Sequence, residues 1–301
     1  MKQYQTELQK RQLAATTIDR YCKNVTQFLD WWTSFPHEAQ TKDILNYIQY
    51  LQGQQVSPNR INQHLNSLRQ YYSLVVQTHN PVGLIYLKHQ RPNVLENVLP
   101  YHELELLYQA YPIEGSSDYL GKRDRIILGL LVYQGVTNQD LHQLQLKDID
   151  LTAGQIYLRS NRRSNARTLE LKAHQFSMLQ EYIYHGRKRL YALIHKEQAG
   201  RKTLMIDPKI KEQLFFSRTG SIHIKNTLKH LFIRLEKLHP KIMNAKQIRA
   251  SVLAHWLKEK DVREVQYMAG HRYVSSTEQY DLYRYEALKH SLQQFHPLAD
   301  D

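Results

Sequence analysis

The sequence predicts a mainly α-helical protein with a small β-sheet, divided into two domains. Apolar residues recur at steps of three and four over residues 1–88 and again over much of residues 101–301, a spacing typical of amphipathic helices. Between these regions, residues 89–100 contain two prolines and show little periodicity, which predicts a linker. Two segments, at 155–159 and 167–171, have the composition of short β-strands.

The N-terminal region is expected to form a bundle of three or four helices. Thr17 is followed by apolar residues on one helical face, and Pro36 ends that pattern. A second helix could be capped by Thr41 or Asp43, and a third begins at Ser57, because a serine followed by a proline is typical of a helix start. The apolar face of the first helix consists of Ile18, Tyr21, Val25, Phe28, Leu29 and Trp32.

The C-terminal region combines the two strands with further helices. An arginine- and asparagine-rich loop, SNRRSNA, joins the strands. Helical periodicity predicts helices at about 101–111, 121–134, 138–146, 173–196, 222–238, 245–259, 261–268 and 275–292.

Composition narrows the possible partners of the chain. A formal net charge of +13 favours a polyanion, with nucleic acid as the first candidate and an anionic membrane surface as a weaker second. The longest apolar run, Ile126–Tyr133, is far shorter than the roughly 20 residues that span a bilayer. The N-terminus is polar and lacks a signal-peptide pattern, so we expect a soluble, cytoplasmic protein. The single Cys22 excludes a disulfide framework, and the histidines show no metal-ligand spacing, so we expect no metal and no cofactor.

Arginines are concentrated in the predicted strand pair. Arg159, Arg162, Arg163 and Arg167 lie within nine residues that contain no acidic side chain. On a hairpin, such a run can enter a DNA groove or line a phosphate site. We therefore predict that these four arginines face DNA, with an ordinary solvated loop as the alternative.

The most specific pattern lies near the C-terminus. Gly270-His271 is followed by Tyr280, nine residues after the histidine, and Arg249 precedes His271 by 22 residues. This arrangement resembles the tyrosine recombinase (phage integrase) superfamily. Residues 1–88 are similar to the core-binding, SAM-like domain of that superfamily, and residues 101–301 to its catalytic domain. The resemblance implies a two-domain clamp around duplex DNA, in a cytoplasmic, nucleoid-associated protein.

The chemistry of the superfamily explains why these residue types occur together. A tyrosine that attacks a phosphodiester conserves the bond energy as a phosphotyrosine, which a DNA hydroxyl can later attack to reseal the strand. Arginine clamps the non-bridging phosphate oxygens with two parallel donors, and an imidazole can donate to the phosphate or help move the tyrosine proton. Tyr280, Arg249 and His271 keep the identities that the resemblance implies for these roles.

Three positions depart from the superfamily pattern. Thr137 stands where the first arginine is expected, Arg162 (with Arg163 next to it) where a hairpin lysine is expected, and Lys246 where a histidine is expected. A threonine cannot replace a guanidinium, and it is better suited to cap a helix. Because burial lowers the pKa of a lysine, our hypothesis assigns Lys246 to protonation of the leaving oxygen and the hairpin arginine to charge. Surface roles for both are equally simple.

Simpler interpretations of the other three residues remain open. Tyr280 could be an ordinary helix aromatic, with Tyr273, Tyr283 and Tyr285 as rivals, and His271 a structural histidine. Arg249 lies in an apolar helix, where an unpaired charge is expensive, so an acidic partner or an anionic ligand such as phosphate must meet it.

Three functions follow from these residues. The first is a site-specific recombinase or integrase of a mobile element or phage. The second is a catalytically impaired relative that binds or bends DNA, and the third is a type IB topoisomerase-like enzyme. The resemblance implies a homotetramer on two DNA duplexes and allows an accessory DNA-bending protein. The C-terminal helix could pack onto a neighbouring copy or within its own chain, through Leu282, Tyr285, Leu288, Leu292 and Phe295.

Overall fold

The computed structural model describes residues 1–77, 79–88, 97–115, 118–198 and 206–281. The chain divides into two compact units, Met1–Pro92 and Asn93–Asp301. The boundary falls within the segment whose composition predicts a linker. Both units are mainly helical, and the described part of the second contains one three-stranded sheet, which confirms the predicted fold class.

The first unit is a helical bundle. Helix α3 (Thr41–Gly53) begins with a capping box in which the Asp43 carboxylate accepts from the backbone N–H of Gln40, so the cap lies one residue before Thr41. The core of this first unit is lined by aromatic and aliphatic side chains that include Tyr4, Leu8, Val25, Phe28, Ile44, Tyr47, Leu65 and Leu68. The helices are α1 (Lys2–Lys10), α2 (Ala15–Trp31), α3 (Thr41–Gly53) and α4 (Pro58–Tyr71), with a 3-10 turn at Pro36–Glu38 and a π-helical turn at Tyr72–Val76.

The second unit is built around two helices that are buried along most of their length, α6 (Tyr119–Gln134) and α11 (Ala245–Glu259). Its elements are α5 (Tyr101–Ala110), α6 (Tyr119–Gln134), α7 (Asn138–Gln143), β1 (Ile149–Asp150), β2 (Gln155–Leu158), β3 (Arg167–Glu170), α8 (Ala173–Glu181), α9 (Arg187–Gln198), α10 (Lys225–Leu238), α11 (Ala245–Glu259), α12 (Val262–Ala269) and α13 (Ser275–Glu278). A π-helical turn at Tyr182–Gly186 joins α8 to α9, and 3-10 turns lie at Leu146–Asp148 and Pro208–Lys211.

The apolar run Ile126–Tyr133 belongs to α6 and is buried in the core of the second unit. Helix α6 ends at Gly135, which adopts a positive φ of 54° and packs against Val252 and Trp256 of α11. This close approach of α6 to α11 places the start of α7 near the middle of α11. Among the described residues, no helix combines the length and apolarity needed to cross a bilayer.

The sheet is antiparallel, in the order β1-β2-β3. Leu158 pairs with Arg167, and Ile156 pairs with Leu169. All four side chains are buried, because residues two apart on a strand face the same side. The register therefore directs Arg167 toward the core of the unit.

Several predicted elements differ in extent. The helix expected at 138–146 ends at Gln143, because Leu144 is extended and a 3-10 turn follows. Strand β1 was not predicted, since two residues carry too little alternation to be detected. The helix expected at 275–292 is observed as α13 up to Glu278, and its predicted remainder beyond residue 281 lies outside the described residues.

Candidate active site

Arg249 occupies the buried face of α11 and is only 9% exposed. Its guanidinium donates to the backbone oxygens of Gly135 and, at 2.7 Å, Ala269. Among the described residues, no carboxylate lies within ion-pair distance of this side chain. Burial, assisted by the nearby charge of Arg167, lowers the pKa of Arg249 to about 10. The site thus holds a desolvated cation whose hydrogen-bond partners, among the described residues, are two backbone carbonyls and the ring of His271.

His271 lies beside Arg249 and is neutral at pH 7. Its Nε2 lies 3.2 Å from Nη2 of Arg249, and its Nδ1 lies 2.9 Å from Oγ1 of Thr277. Since a guanidinium can only donate, Nε2 must accept and Nδ1 must carry the proton that bonds to Thr277. Burial, followed by the charges of Arg249 and Arg167, lowers the pKa of His271 to about 4.

Tyr280 completes this corner of the molecule. Its ring stacks near that of His271, with centroids 6.1 Å apart and planes inclined by 15°. The side chain is 8% exposed, and burial raises the pKa of its phenol while Arg249 opposes that rise. The backbone N–H of Tyr280 bonds to the carbonyl of Thr277 at 2.9 Å, so the turn that holds His271 also holds the tyrosine.

The rival tyrosines are placed differently. Tyr273 is 72% exposed, so it lies on the surface rather than in this corner. Tyr283 and Tyr285 lie outside the described residues.

Thr137 acts as a helix cap, as its position in the sequence suggested. Its hydroxyl accepts from the backbone N–H of Asp140, and the Asp140 carboxylate accepts from the backbone N–H of Thr137 at 2.8 Å. The same carboxylate oxygen, Oδ2, also accepts from the Thr137 hydroxyl at 2.8 Å. Thr137 therefore fixes the start of α7 and the orientation of Asp140.

The sequence predicted that Arg167 lies on the DNA-facing surface of the hairpin. In the structure its side chain is instead buried beside Arg249 and His271. Its side chain has no exposed area, and its Nη2 bonds to Oδ2 of Asp140 at 2.8 Å. Its Nε and Nη1 have no hydrogen-bond partner among the described residues. Oδ1 of Asp140 likewise has none. A Cβ at Gly270 would lie 2.6 Å from Nη1, so the missing side chain at 270 makes room for the guanidinium.

We call the turn between β2 and β3 the arginine turn (Asn161–Ser164). Of the four arginines predicted to face DNA, it carries the two that are exposed, Arg162 and Arg163. It lies against the His271 segment, because Ser164 bridges to His271 and Asn161 accepts from Arg272 through its carbonyl at 2.8 Å. The arginine turn is thus held next to the site by one backbone bridge and one hydrogen bond from the side chain of Arg272.

Arg159 differs from the arginines of the turn. Its guanidinium forms an ion pair with Asp148 at 2.7 Å and bonds to Gln145 at 2.7 Å. A DNA-facing role was predicted for it from the acid-free run, but Asp148, which lies eleven residues before Arg159, engages its guanidinium.

Lys246 lies on the first turn of α11, three residues before Arg249 and on an exposed face. The burial on which its proposed proton-donor role depended is therefore absent in this structure. Arg162 and Lys246 are both separate from the buried corner formed by Arg249, His271, Tyr280 and Arg167.

Sequence reasoning missed Thr277, and it placed Arg167 on the DNA-facing hairpin without predicting its burial beside Asp140. Thr277, which is fully buried and orients His271, lies in a polar part of the sequence and was not singled out. The burial of Arg167 could have been predicted from the strand pattern. Leu169 and Leu171 alternate with polar residues, so an arginine two positions before Leu169 shares their buried face. Among the described residues, no group of three or more His, Cys, Asp or Glu side chains is placed to hold a metal ion.

Family models match both units of the chain. The phage integrase N-terminal SAM-like domain matches residues 1–81, and the phage integrase family matches residues 97–286. This chain belongs to the phage integrase family. Its members are tyrosine recombinases, which break and rejoin DNA.

Curated relatives are distant but cover most of the chain. Tyrosine recombinase XerC of Oceanobacillus iheyensis is 23% identical over 293 residues, which are 94% of this chain and 91% of that protein. The TnP I resolvase of Bacillus thuringiensis is 22% identical over 240 residues, which are 77% of this chain and 83% of the resolvase.

Solved structures share the fold. The XerH site-specific recombinase bound to its palindromic difH substrate has a TM-score of 0.68 at 19% identity, covering 96% of this chain and 84% of that one. The Tn1549 transposon integrase in complex with transposon right end DNA has a TM-score of 0.63 at 16% identity, covering 98% of each chain. A lambda integrase dimer bound to a core site has a TM-score of 0.59 at 15% identity, covering 92% of each chain.

Proposed function

We propose that this chain is an active site-specific recombinase that cuts and rejoins DNA through a 3′-phosphotyrosine at Tyr280. The observation that carries the proposal is the convergence of Arg249, His271 and Tyr280 in one buried corner. A protein that only binds DNA gains nothing from a desolvated arginine, a neutral histidine and a tyrosine so arranged. The same arrangement suits a phosphate that needs charge stabilisation and a nucleophile.

The Tyr280 oxygen forms a bond to phosphorus, and the bond from phosphorus to the 5′ oxygen breaks. The phenol is neutral in the resting site, so its proton must leave. The proposed acceptor is Nε2 of neutral His271, whose ring stacks near that of Tyr280 and which would release its bond from Arg249 to take the proton. The 5′ oxygen takes up a proton, for which Lys246 is the proposed donor even though it is exposed rather than buried, and Arg162 is proposed to supply positive charge.

We further propose that the chain serves a mobile element or phage. Its likeness to a resolvase and to the Tn1549 transposon and lambda integrases supports this role. The proposed partner is double-stranded DNA, and the expected assembly is a homotetramer on two duplexes. An accessory DNA-bending protein would be a further component. The C-terminal helix that would join the copies, with Leu282 to Phe295, lies outside the described residues.

Covalent trapping tests the proposal. Nicked suicide duplexes that tile the DNA on both sides of the gene would be incubated with the wild-type chain, Tyr280→Phe and, as a matched control, Tyr273→Phe. We expect a denaturant-stable protein–DNA band for the wild type and for Tyr273→Phe, and none for Tyr280→Phe. Tight, salt-sensitive binding to one of these duplexes without any covalent band would instead favour the impaired, architectural relative. Site-independent relaxation of supercoiled plasmid would favour the topoisomerase-like enzyme.

A further inference from the structure

We infer that Arg167, from strand β3, supplies the phosphate-clamping guanidinium that Thr137 cannot supply. The inference rests on the proposed function and names a second cation for the same site. On this inference the charge comes from β3 rather than from the start of α7, and Asp140 orients it.

The carboxylate of Asp140 shows that the two positions share one place. Oδ2 of Asp140 accepts from Oγ1 of Thr137 at 2.8 Å and from Nη2 of Arg167 at 2.8 Å. A side chain that begins at residue 137 and one that arrives from residue 167 therefore meet at the same oxygen atom. An arginine at either position can place its guanidinium beside this carboxylate.

The charges of the corner leave room for an anion. Arg167 and Arg249 are two buried cations, Asp140 is the one carboxylate bonded to either among the described residues, and His271 is neutral. Arg167 also contributes to lowering the pKa of Arg249 and of His271, so its charge acts on both residues. The corner thus carries an excess of one positive charge, which a phosphodiester monoanion would neutralise.

Arg167 has free donors for such an anion. Its Nε and Nη1 are buried and have no acceptor among the described residues, although buried N–H groups are almost always hydrogen-bonded. Nε and one Nη form the edge of a guanidinium that can bind two oxygens of a phosphate in parallel. A purely structural ion pair with Asp140 would use only Nη2 and would leave both other nitrogens without a role.

Gly270 supports the same assignment. It immediately precedes His271, adopts a positive φ of 70°, and faces Arg167 without a side chain. The backbone oxygen of Gly270 also accepts from the N–H of Asn165 at 2.9 Å, which ties the β3 segment to the His271 turn. Arg167 is therefore built into the site from two sides, by Asp140 and by the glycine.

Entry of DNA requires a small opening. Arg167, Arg249 and Tyr280 are all buried. Tyr280, which must reach the phosphate, stacks near His271 in the same corner, so we expect its movement toward DNA to expose the guanidinium groups.

The experiment compares a charged and a neutral scissile phosphate. The suicide duplex that the wild type cleaves would be made in two forms, one with the ordinary phosphate and one with a methylphosphonate at the scissile position. The variants are Arg167→Lys, Arg167→Met and Thr137→Arg combined with Arg167→Met. Arg123→Met is the matched control, because Arg123 also forms a buried ion pair, at 2.7 Å with Asp124, outside this corner.

We expect Arg167→Met to slow covalent trapping on phosphate by about 10²–10³-fold, as removal of one oxyanion donor does. On the methylphosphonate the loss should be under about tenfold, because less charge then needs neutralising. Thr137→Arg should restore at least about tenfold to Arg167→Met, and Arg123→Met should affect both substrates by the same factor. Arg167→Lys keeps the ion pair with Asp140 but loses the fork, so it should fold normally and still be slowed by about tenfold or more.

Two results would overturn the inference alone. Equal losses for Arg167→Met on the two substrates would show a structural role only. Arg167→Lys that traps DNA as fast as the wild type would do the same, while leaving the proposed function intact. A wild-type chain that traps no DNA would overturn both proposals.

Discussion

Replacing Asp140 with alanine should destabilise the second unit far more than an ordinary helix cap does. The carboxylate accepts three hydrogen bonds through Oδ2, from the backbone and hydroxyl of Thr137 and from Arg167, each at 2.8 Å. Both Asp140 and Arg167 are buried, with exposed side-chain fractions of 1% and 0%. Removing the carboxylate leaves two buried guanidinium groups with no bonded anion among the described residues.

The magnitude follows from these contacts. Breaking a buried ion pair by removing one partner costs about 3–5 kcal/mol. Removing only the cap, by Thr137→Ala, costs about 1 kcal/mol. For a domain of this size, each kcal/mol corresponds to about 2–4 °C in Tm, so Asp140→Ala should lower Tm by roughly 10 °C and Thr137→Ala by roughly 3 °C.

The assay is thermal and urea unfolding of the full chain, followed by circular dichroism. The double variant Asp140→Ala/Arg167→Met should recover most of the loss, because it removes both members of the pair. If Asp140→Ala and Thr137→Ala were equally stable within about 1 kcal/mol, the ion pair with Arg167 would not hold this corner and the reasoning would be wrong.

Three other predictions follow. Gly270→Ala should lose stability and trapping activity, since its Cβ would lie 2.6 Å from Nη1 of Arg167. Gly115 has a similar positive φ but open space around it, so Gly115→Ala should lower the free energy of unfolding by only the backbone cost of about 1 kcal/mol. Because the pKa of His271 falls from 6.5 to about 4 on folding, the unfolded chain binds the His271 proton more tightly, so the free energy of unfolding should fall as pH decreases from 6.5 towards 4. Urea titrations at pH 7 and 5 should show a smaller difference in this free energy for His271→Gln than for the wild type, and an equal difference would refute this. Changing both exposed arginines of the arginine turn to glutamine should weaken DNA binding and reduce its salt dependence, measured by fluorescence anisotropy at several salt concentrations; equal slopes would argue against phosphate contacts there.

Helical periodicity predicted most of the architecture, because the fold depends on apolar faces that recur along the chain. The helices around 121–134 and 245–259 were found to within two residues, since each is a long apolar segment with clear boundaries. Strand β1 escaped because its pairing partner, β2, is separated from it by a turn and only two residues are paired. Such a short pairing leaves no periodic trace.

The site was only partly predictable for a different reason. Arg249, His271 and Tyr280 were found because their spacing along the chain is diagnostic, and the structure brings them together. The role of Arg167 depends on a contact with Asp140 across 27 positions, which spacing cannot show. Arg162, by contrast, aligned with the hairpin position in sequence but lies exposed on the arginine turn.

The identity of the residue bonded to DNA tests the central claim most directly. The trapped complex would be digested with nuclease and trypsin, and the modified peptide sequenced by mass spectrometry. Trypsin cuts after Arg272 and Arg284, so one peptide carries Tyr273, Tyr280 and Tyr283 and must be fragmented to separate them. We predict the nucleotide on Tyr280, within the corner formed with Arg249 and His271. A nucleotide on Tyr273 or Tyr283, or a trapped complex in which Tyr280 stays unmodified, would contradict the proposed mechanism.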